Sequence, residues 1–271
     1  MKPKVTAPSK EVISTTKNII DKYGVNTVCY SSKCPNISEC FARGTATFMI
    51  LGNICTRNCR FCGVNKGKPQ KINEAEPEKV ANAIKEMKLK YVIITSVDRD
   101  DLEDFGSIHW HRTIEKIKEI NLETKIEALT PDFRGDIEAL SLLATSSADK
   151  LAHNIETVKR LHKKLKPKSS YELSLKILEF YSKYKITKSS LIVGFGEDFE
   201  EIEKTLIDLQ NAGVSQITIG QYLRPSPHHY PVKKYYSHEE FKILEKLAYS
   251  IGFEAVASGE LVRSSYYADK L

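Results

Sequence analysis

The sequence predicts an α/β protein, a partial (β/α)6 TIM-like barrel with an extension at each end. Two observations carry that prediction. Short β-rich runs alternate with amphipathic segments along most of the chain, which is the pattern of βαβ units around a parallel sheet. The polar segments that could do chemistry fall just after those runs, where parallel α/β architectures collect their functional loops. Six such units in 271 residues suit an incomplete barrel better than a full ring of eight, with a doubly wound open sheet as the alternative.

In chain order the strands are "TATFMILG" (45–52), "YVIIT" (91–95), "KIEAL" (125–129), "ADKLA" (148–152), "SLIVG" (190–194) and "QITIG" (216–220). Helical periodicity fills the stretches near 77–89, 107–120, 136–145, 155–165, 171–183 and 198–212. The strands are followed in turn by "CTRNC", "SVDRDD", "TPDFRG", "HNIETV", "FGED" and "QYLRPS". Residues 9–23 read as a separate helix opened by a Ser9 cap and carrying Val12, Ile13, Ile19 and Ile20. The organisation expected is an N-terminal extension (1–44), the barrel (45–252) and a C-terminal extension (253–271) whose last stretch, "SGELVRSSYYADKL" (258–271), is irregular, all in one compact unit.

Composition narrows the class. At 41% hydrophobic and 28% charged residues, the chain reads as an ordinary globular protein with a sizeable core. No apolar run approaches the ~20 residues that span a bilayer, and the N-terminus has no secretory pattern. The expectation is a cytoplasmic protein whose thiols stay reduced, with neither membrane nor nucleic acid as partner. The net charge of +6 describes either a Lys-rich solvated surface or a surface that meets an acidic partner.

The cysteines carry the chemistry. All six lie between residues 29 and 62. Clustered, regularly spaced cysteines in a reducing compartment point to metal. Cys55, Cys59 and Cys62 form C-x3-C-x2-C, and Cys29, Cys34 and Cys40 form C-x4-C-x5-C. Neither set has the paired C-x2-C or Cys/His spacing of a closed zinc site. Three thiolates hold three irons of a four-iron cluster and leave the fourth open, and an open metal site is a place for chemistry.

C-x3-C-x2-C after the first strand of a partial barrel resembles the signature of radical S-adenosylmethionine (SAM) enzymes. The resemblance implies a 4Fe-4S cluster whose open iron is chelated by SAM, and a 5′-deoxyadenosyl radical that removes hydrogen from an unactivated carbon. With the upstream set, "RGTATFMILGNICTRNCRFC", "ITSVDRDDL", "PDFRG", "HNIETV", "QYLRPS" and the terminal "RSSY" included, the chain resembles the lipoyl synthase family over about residues 24–267. That family inserts two sulfur atoms, at carbons six and eight, into an octanoyl chain held by amide linkage on a lysine of a lipoyl carrier domain or H protein. Two SAM molecules are consumed per product, and the second cluster is dismantled as the sulfur source.

Carried over residue by residue, the resemblance implies that Cys55, Cys59 and Cys62 hold the radical SAM cluster. Cys29, Cys34, Cys40 and the oxygen of Ser265 hold the auxiliary cluster in the terminal extensions. A serine oxygen is a hard ligand on iron that prefers thiolate, so it makes a labile corner suited to a cluster that must come apart. The plain alternative is that "RSSY" is a tail loop with solvated hydroxyls. The two clusters are expected to face each other across the substrate chain. An electron donor such as ferredoxin or flavodoxin, and an iron–sulfur carrier for cluster repair, are the further partners implied.

Thr95, Asp98, Arg99, Asn154 and Glu156 follow strands and are placed to bond the cofactor's polar groups, each with a loop-capping alternative; Asn154 in particular is suited to cap the helix after it. Arg224 suits the substrate amide, cluster charge or a surface ion pair. Phe61 suits the adenine or an ordinary core contact. His153 is expected in the pocket wall, and no histidine, the pair His228 and His229 included, is expected as a metal ligand. Two features depart from the family pattern: Tyr30, Ser31, Ser32 and Lys33 stand where two glutamates are usual, and Glu260 where proline is common. Two other functions compete with this reading: a radical enzyme inserting sulfur into another substrate, and a structural zinc-binding module.

Overall fold

The structure, a computed structural model, describes residues 10–31 and 36–271. Ser9, Ser32, Lys33 and Cys34 therefore lie outside the described residues. The chain divides into two compact units, the first built from residues up to Arg57 and from 64–151, the second from 58–63 and 152–271.

In the first unit, α1 (Lys10–Tyr23) leads through β1 (Asn26–Thr27), α2 (Val28–Ser31) and α3 (Ile37–Ala42) to β2 (Thr45–Ile50). There follow β3 (Ile54–Cys55), β4 (Asn65–Lys66), α4 (Glu76–Glu86), β5 (Tyr91–Ser96), α5 (Ser107–Ile120), β6 (Lys125–Leu129) and α6 (Ile137–Ala144). The division between units falls within β7 (Lys150–Ala152). β2, β5 and β6 run parallel in that order, with Phe48 beside Ile94 and Ile94 beside Ala128, while β1 pairs antiparallel with β2. Every residue of β2 is buried, which is why "TATFMI" is not a polar–apolar alternation but a strand covered on both faces. Val80 and Ile84 of α4, and Trp110, Ile114 and Ile117 of α5, recur at helical spacing and are buried. Each such aliphatic side chain contributes about 1.5–3 kcal/mol by leaving water.

The second unit contains α7 (Lys159–Leu165), α8 (Tyr171–Ser182), β8 (Thr187–Val193), α9 (Phe199–Asn211), β9 (Gln216–Gln221), α10 (His238–Ile251) and β10 (Ala255–Gly259). β8, β9 and β10 are parallel, with Leu191 beside Ile219 and Ile217 beside Val256. Side-chain caps start three of its helices: Ser170 at α8, and capping boxes Asp198/Glu201 at α9 and Ser237/Glu240 at α10. Its core joins Leu178, Leu191, Leu206, Ile217, Ile219 and Phe241.

Two differences from the sequence expectation matter. The stretch 255–259, placed in the C-terminal extension with no strand expected there, is a strand parallel to β9, preceded by the helix 238–251. The helix expected at 155–165 starts only at Lys159, because the chain before it stays extended and Glu156 takes a left-handed φ of 70°. Among the described residues no helix is long and apolar enough to cross a membrane.

Candidate active site

In the first unit the chain leaves β2 through Leu51, a non-glycine residue at φ 65°. Both of its backbone polar groups are held: its N–H donates to Glu76 at 2.8 Å, and its carbonyl accepts from Arg99 Nη1 at 3.4 Å. Glu76 also accepts from His109 Nε2 at 2.8 Å. Gly106 (φ 85°) must lack a side chain, since a Cβ there would lie 2.5 Å from a Leu51 methyl. These contacts offset the strain of the turn that begins the cysteine loop.

Cys55 follows on β3, half-buried, paired beside Lys66 of β4. Thr56 stitches it to the loop after β5: its N–H and hydroxyl both donate to the Asp98 carbonyl (3.1 and 3.0 Å), and its oxygen accepts from Asp100 N–H at 3.1 Å. The Arg57 N–H points at Cys55 Sγ from 3.4 Å, and the thiol donates to Asp98 Oδ2 at 3.5 Å.

The Arg57 side chain, only 5% exposed, anchors this loop. Nη1 and Nη2 each reach Asp132 at 2.6 Å, while Nε and Nη2 reach Asp100 at 2.9 and 2.7 Å. Asp98 Oδ1 lies 3.4 Å from Nε, and Arg134 adds a second guanidinium on Asp100 at 3.0 Å. Burial alone would weaken the Arg57 charge, but the hydrogen bonds it donates to Asp100 and Asp132 and the charges of Asp98 and Asp132 outweigh it and hold the guanidinium firmly protonated. Burial likewise pushes the Asp100 carboxyl up, yet Arg57 and Arg134 pull it below the ordinary carboxylate range. Phe133 and Arg134 both have positive φ (40° and 56°), a strained corner that Asp132 stabilises by accepting from Arg134 N–H at 3.0 Å.

The other predicted residues of this unit have specific partners. Thr95 Oγ1 donates to the Leu129 carbonyl at 3.1 Å. Arg99 is buried and, besides Leu51, bonds Asp101 through Nε and Nη2 at 2.8 and 2.9 Å. Cys29 is buried in α2 and Cys40 is half-buried in α3.

In the second unit, Cys59 and Cys62 sit in one tight turn, with Cys62 N–H donating to the Cys59 carbonyl at 3.3 Å. Arg60 N–H donates to the Leu165 carbonyl at 2.8 Å and its carbonyl accepts from Tyr230 N–H at 2.9 Å. Phe61, between the two cysteines, packs on Phe195 with centroids 5.8 Å apart, and Phe195 stacks on Tyr222 at 4.3 Å. The Phe195 loop is held by Glu197, whose buried carboxylate accepts from Gly194 N–H (2.5 Å), Phe195 N–H (2.9 Å) and Tyr236 OH (3.0 Å).

Asn154 Nδ2 donates to Glu156 at 3.1 Å, and α7 begins with Val158 at its cap without a side-chain bond, so Asn154 does not cap that helix. Burial pushes the Glu156 carboxyl up, against Lys166 and the Asn154 bond. His153 is buried on Ser174 at 3.1 Å. Arg224 is exposed and closes its own loop by donating to the carbonyls of His229 (2.9 Å) and Pro227. Ser265 is half-buried in the turn in which Tyr266 N–H donates to the Arg263 carbonyl at 2.9 Å.

This donor set fits an iron–sulfur cluster. In the first unit Cys55 is a soft donor on a loop held by Thr56 and Arg57, and a peptide N–H already faces its sulfur, the kind of bond that stabilises thiolate and tunes cluster potential; in the second unit Cys59 and Cys62 are soft donors on one tight turn. Among the described residues no three Cys, His, Asp or Glu side chains gather on a single metal ion, but cluster cysteines serve separate irons. Arg57, Asp100 and Asp132 escaped the sequence reading as site residues, although each lies inside a segment that reading singled out, while His229 was weighed only as a metal ligand.

Comparison with known proteins agrees. Residues 49–209 match the radical SAM superfamily. The fold resembles the solved structures of methylornithine synthase PylB (TM-score 0.57, 16% identity, 98% of this chain and 85% of that one) and of HydG, a maturase of [FeFe]-hydrogenase (0.61, 14%, 93% and 68%). The chain thus belongs to the radical SAM superfamily and has its α/β partial-barrel fold, with 4Fe-4S clusters and SAM as cofactors. Among curated proteins it is 48% identical to the mitochondrial lipoyl synthase of Nematostella vectensis over 99% of this chain and 94% of that one. It is also 46% identical to the lipoyl synthase of Christiangramia forsetii (99% and 94%) and 48% to that of Caldicellulosiruptor saccharolyticus (96% and 91%). Within the superfamily it belongs to the lipoyl synthases, radical SAM enzymes that insert sulfur.

Proposed function

We propose that the chain places two sulfur atoms, at carbons six and eight, on an octanoyl group carried by a lysine of a lipoyl carrier domain or H protein. The observation that carries this reading is the pinned cysteine loop after β2 in a chain similar along nearly its whole length to lipoyl synthases. When bound, the radical SAM cluster and SAM supply a carbon-centred oxidant, and the auxiliary cluster supplies sulfur.

The residues divide the work. Cys55, Cys59 and Cys62 hold the first cluster, and Cys29, Cys34, Cys40 and Ser265 hold the second. In the first unit Thr95 and Asp98, the latter beside Cys55 and backed by Arg57, and in the second unit Asn154 and Glu156, each offer acceptors and donors of the kind that an amino-acid and ribose ligand needs. Arg99 acts from behind by holding the Leu51 turn that begins the cysteine loop, and Arg224 by closing its own loop on the carbonyls of His229 and Pro227. The +6 charge favours encounter with an acidic carrier. Ferredoxin or flavodoxin supplies electrons, an iron–sulfur carrier rebuilds the auxiliary cluster, and the cytoplasm is the setting.

The test is anaerobic reconstitution followed by mass spectrometry of an octanoyl-lysine peptide after reduction and SAM addition. The expected result is about eight irons per chain and a dithiolated peptide. A colourless, iron-free protein, or a loaded one that leaves the peptide unchanged, overturns the reading.

A further inference from the structure

We infer that His229 is a positioning residue for the cysteine loop, holding the Cys62 carbonyl so that the thiol is aimed before any iron arrives. The inference rests on Cys59 and Cys62 being cluster ligands, as proposed above. His229 Nε2 lies 3.0 Å from the Cys62 carbonyl oxygen. A carbonyl only accepts, so Nε2 carries the proton and donates. The other ring nitrogen, Nδ1, lies 2.8 Å from Ser226 Oγ, which also accepts from the His228 N–H at 3.4 Å. The imidazole is thereby fixed at both ends, as a ring must be to hold a third group in place.

The bond falls where the backbone needs it. Cys62 is followed by Gly63, whose lack of a side chain leaves the Cys62–Gly63 peptide free to swing. Tyr230 N–H holds the Arg60 carbonyl and His229 holds the Cys62 carbonyl, so adjacent residues of one segment grip alternate carbonyls of the cluster loop. The gripping segment is itself closed. Arg224 donates to the carbonyls of His229 and Pro227, and Tyr222 OH donates to the Tyr230 carbonyl at 2.8 Å. Pro225 lies in van der Waals contact with the position of a Gly63 Cβ, 3.4 Å away. Of the two grips, the histidine's is made by a side chain and can be removed without altering the backbone.

The experiment uses the full-length, anaerobically reconstituted chain with His229→Ala, His229→Gln and Ser226→Ala. Glutamine places an N–H close to the Nε2 position and can restore the bond. Iron loss to a chelator and the change in the reduced protein's electron paramagnetic resonance on adding SAM are read together, with circular dichroism melting as the control for folding. The alanine variant is expected to lose iron about 10- to 100-fold faster, the range for removing a partner that orients a metal ligand. Its SAM-dependent spectral change is expected to broaden while its melting stays near that of the parent. His229→Gln is expected to recover most of the retention, and Ser226→Ala to fall between. Unchanged iron loss in His229→Ala, or a glutamine variant as leaky as the alanine one, overturns the inference. A parent chain that takes up no iron would instead sink the reading of the cysteines themselves.

Discussion

Replacing Arg57 by alanine removes a buried cation that Asp132 and Asp100 share. Asp132 is 2% exposed and Asp100 13%, so neither carboxylate can turn to water without opening the loop. Breaking a buried ion pair by deleting one partner costs about 3–5 kcal/mol, and the loss of two bidentate contacts places this case at the upper end. For a chain of this size each kcal/mol lowers the melting temperature by about 2–4 °C, so a fall on the order of 10–20 °C is expected. Circular dichroism melting of the metal-free chain under reducing conditions isolates the effect from cluster loss. Arg57→Lys keeps the charge but not the fork and should recover only part.

Acid provides a second reading of the same pair. The Asp100 carboxyl is held below its unfolded value, so its contribution is complete above the ordinary carboxylate range and disappears as pH falls through the depressed one. That acid sensitivity should weaken in the alanine variant. A change under about 1 kcal/mol, with an unaltered acid profile, would refute the assignment of Arg57 as the anchor of the loop, since surface substitutions have effects of that size.

Three further outcomes are expected. Glu197→Ala strands the buried N–H groups of Gly194 and Phe195 and should cost about 1–3 kcal/mol for each; urea unfolding measures it, and Glu197→Gln should restore part of the loss. Gly220→Ala places a Cβ 2.2 Å from the Val262 carbonyl, a clash with backbone that must shift the segment carrying Ser265; faster hydrogen exchange at 260–266 and iron falling from about eight to about four per chain are the signs, and no change in either would count against both the clash and the Ser265 ligand. Sulfur insertion into an intact acidic carrier should slow as salt rises while insertion into a short octanoyl-lysine peptide does not, because screening acts on encounter of the charged surfaces; equal salt dependence would contradict electrostatic recognition.

The strands 45–50, 91–96 and 125–129 were legible because buried parallel strands are short apolar runs bounded by polar loops, a signal contained within a few residues. The helix 238–251 was equally open to reading, since Ser237 and Glu240 form a capping box just before its apolar stripe. With that helix recognised, 255–259 would have been expected as the next strand. The start of α7 was not legible in this way, because Glu156 leaves the helical region for a left-handed conformation that its residue type does not announce. Arg99 shows a different limit. Its place after a strand left a ligand contact and a loop-holding role open, and nothing near it in the sequence announces that its guanidinium bonds the backbone at Leu51 as well as Asp101.

The sequence by itself determined the metal chemistry, the strand–helix alternation and the family, because cysteine spacing and apolar periodicity are written within single turns and strands. Only the tertiary structure decided which side chains hold the cysteine loop in place. Arg57 meets Asp132 across 75 residues of chain, and His229 meets Cys62 across 167. A charged or polar side chain has many partners of suitable chemistry in the same sequence. Which one it reaches is set by strand register and loop closure, and those exist only once the chain has folded.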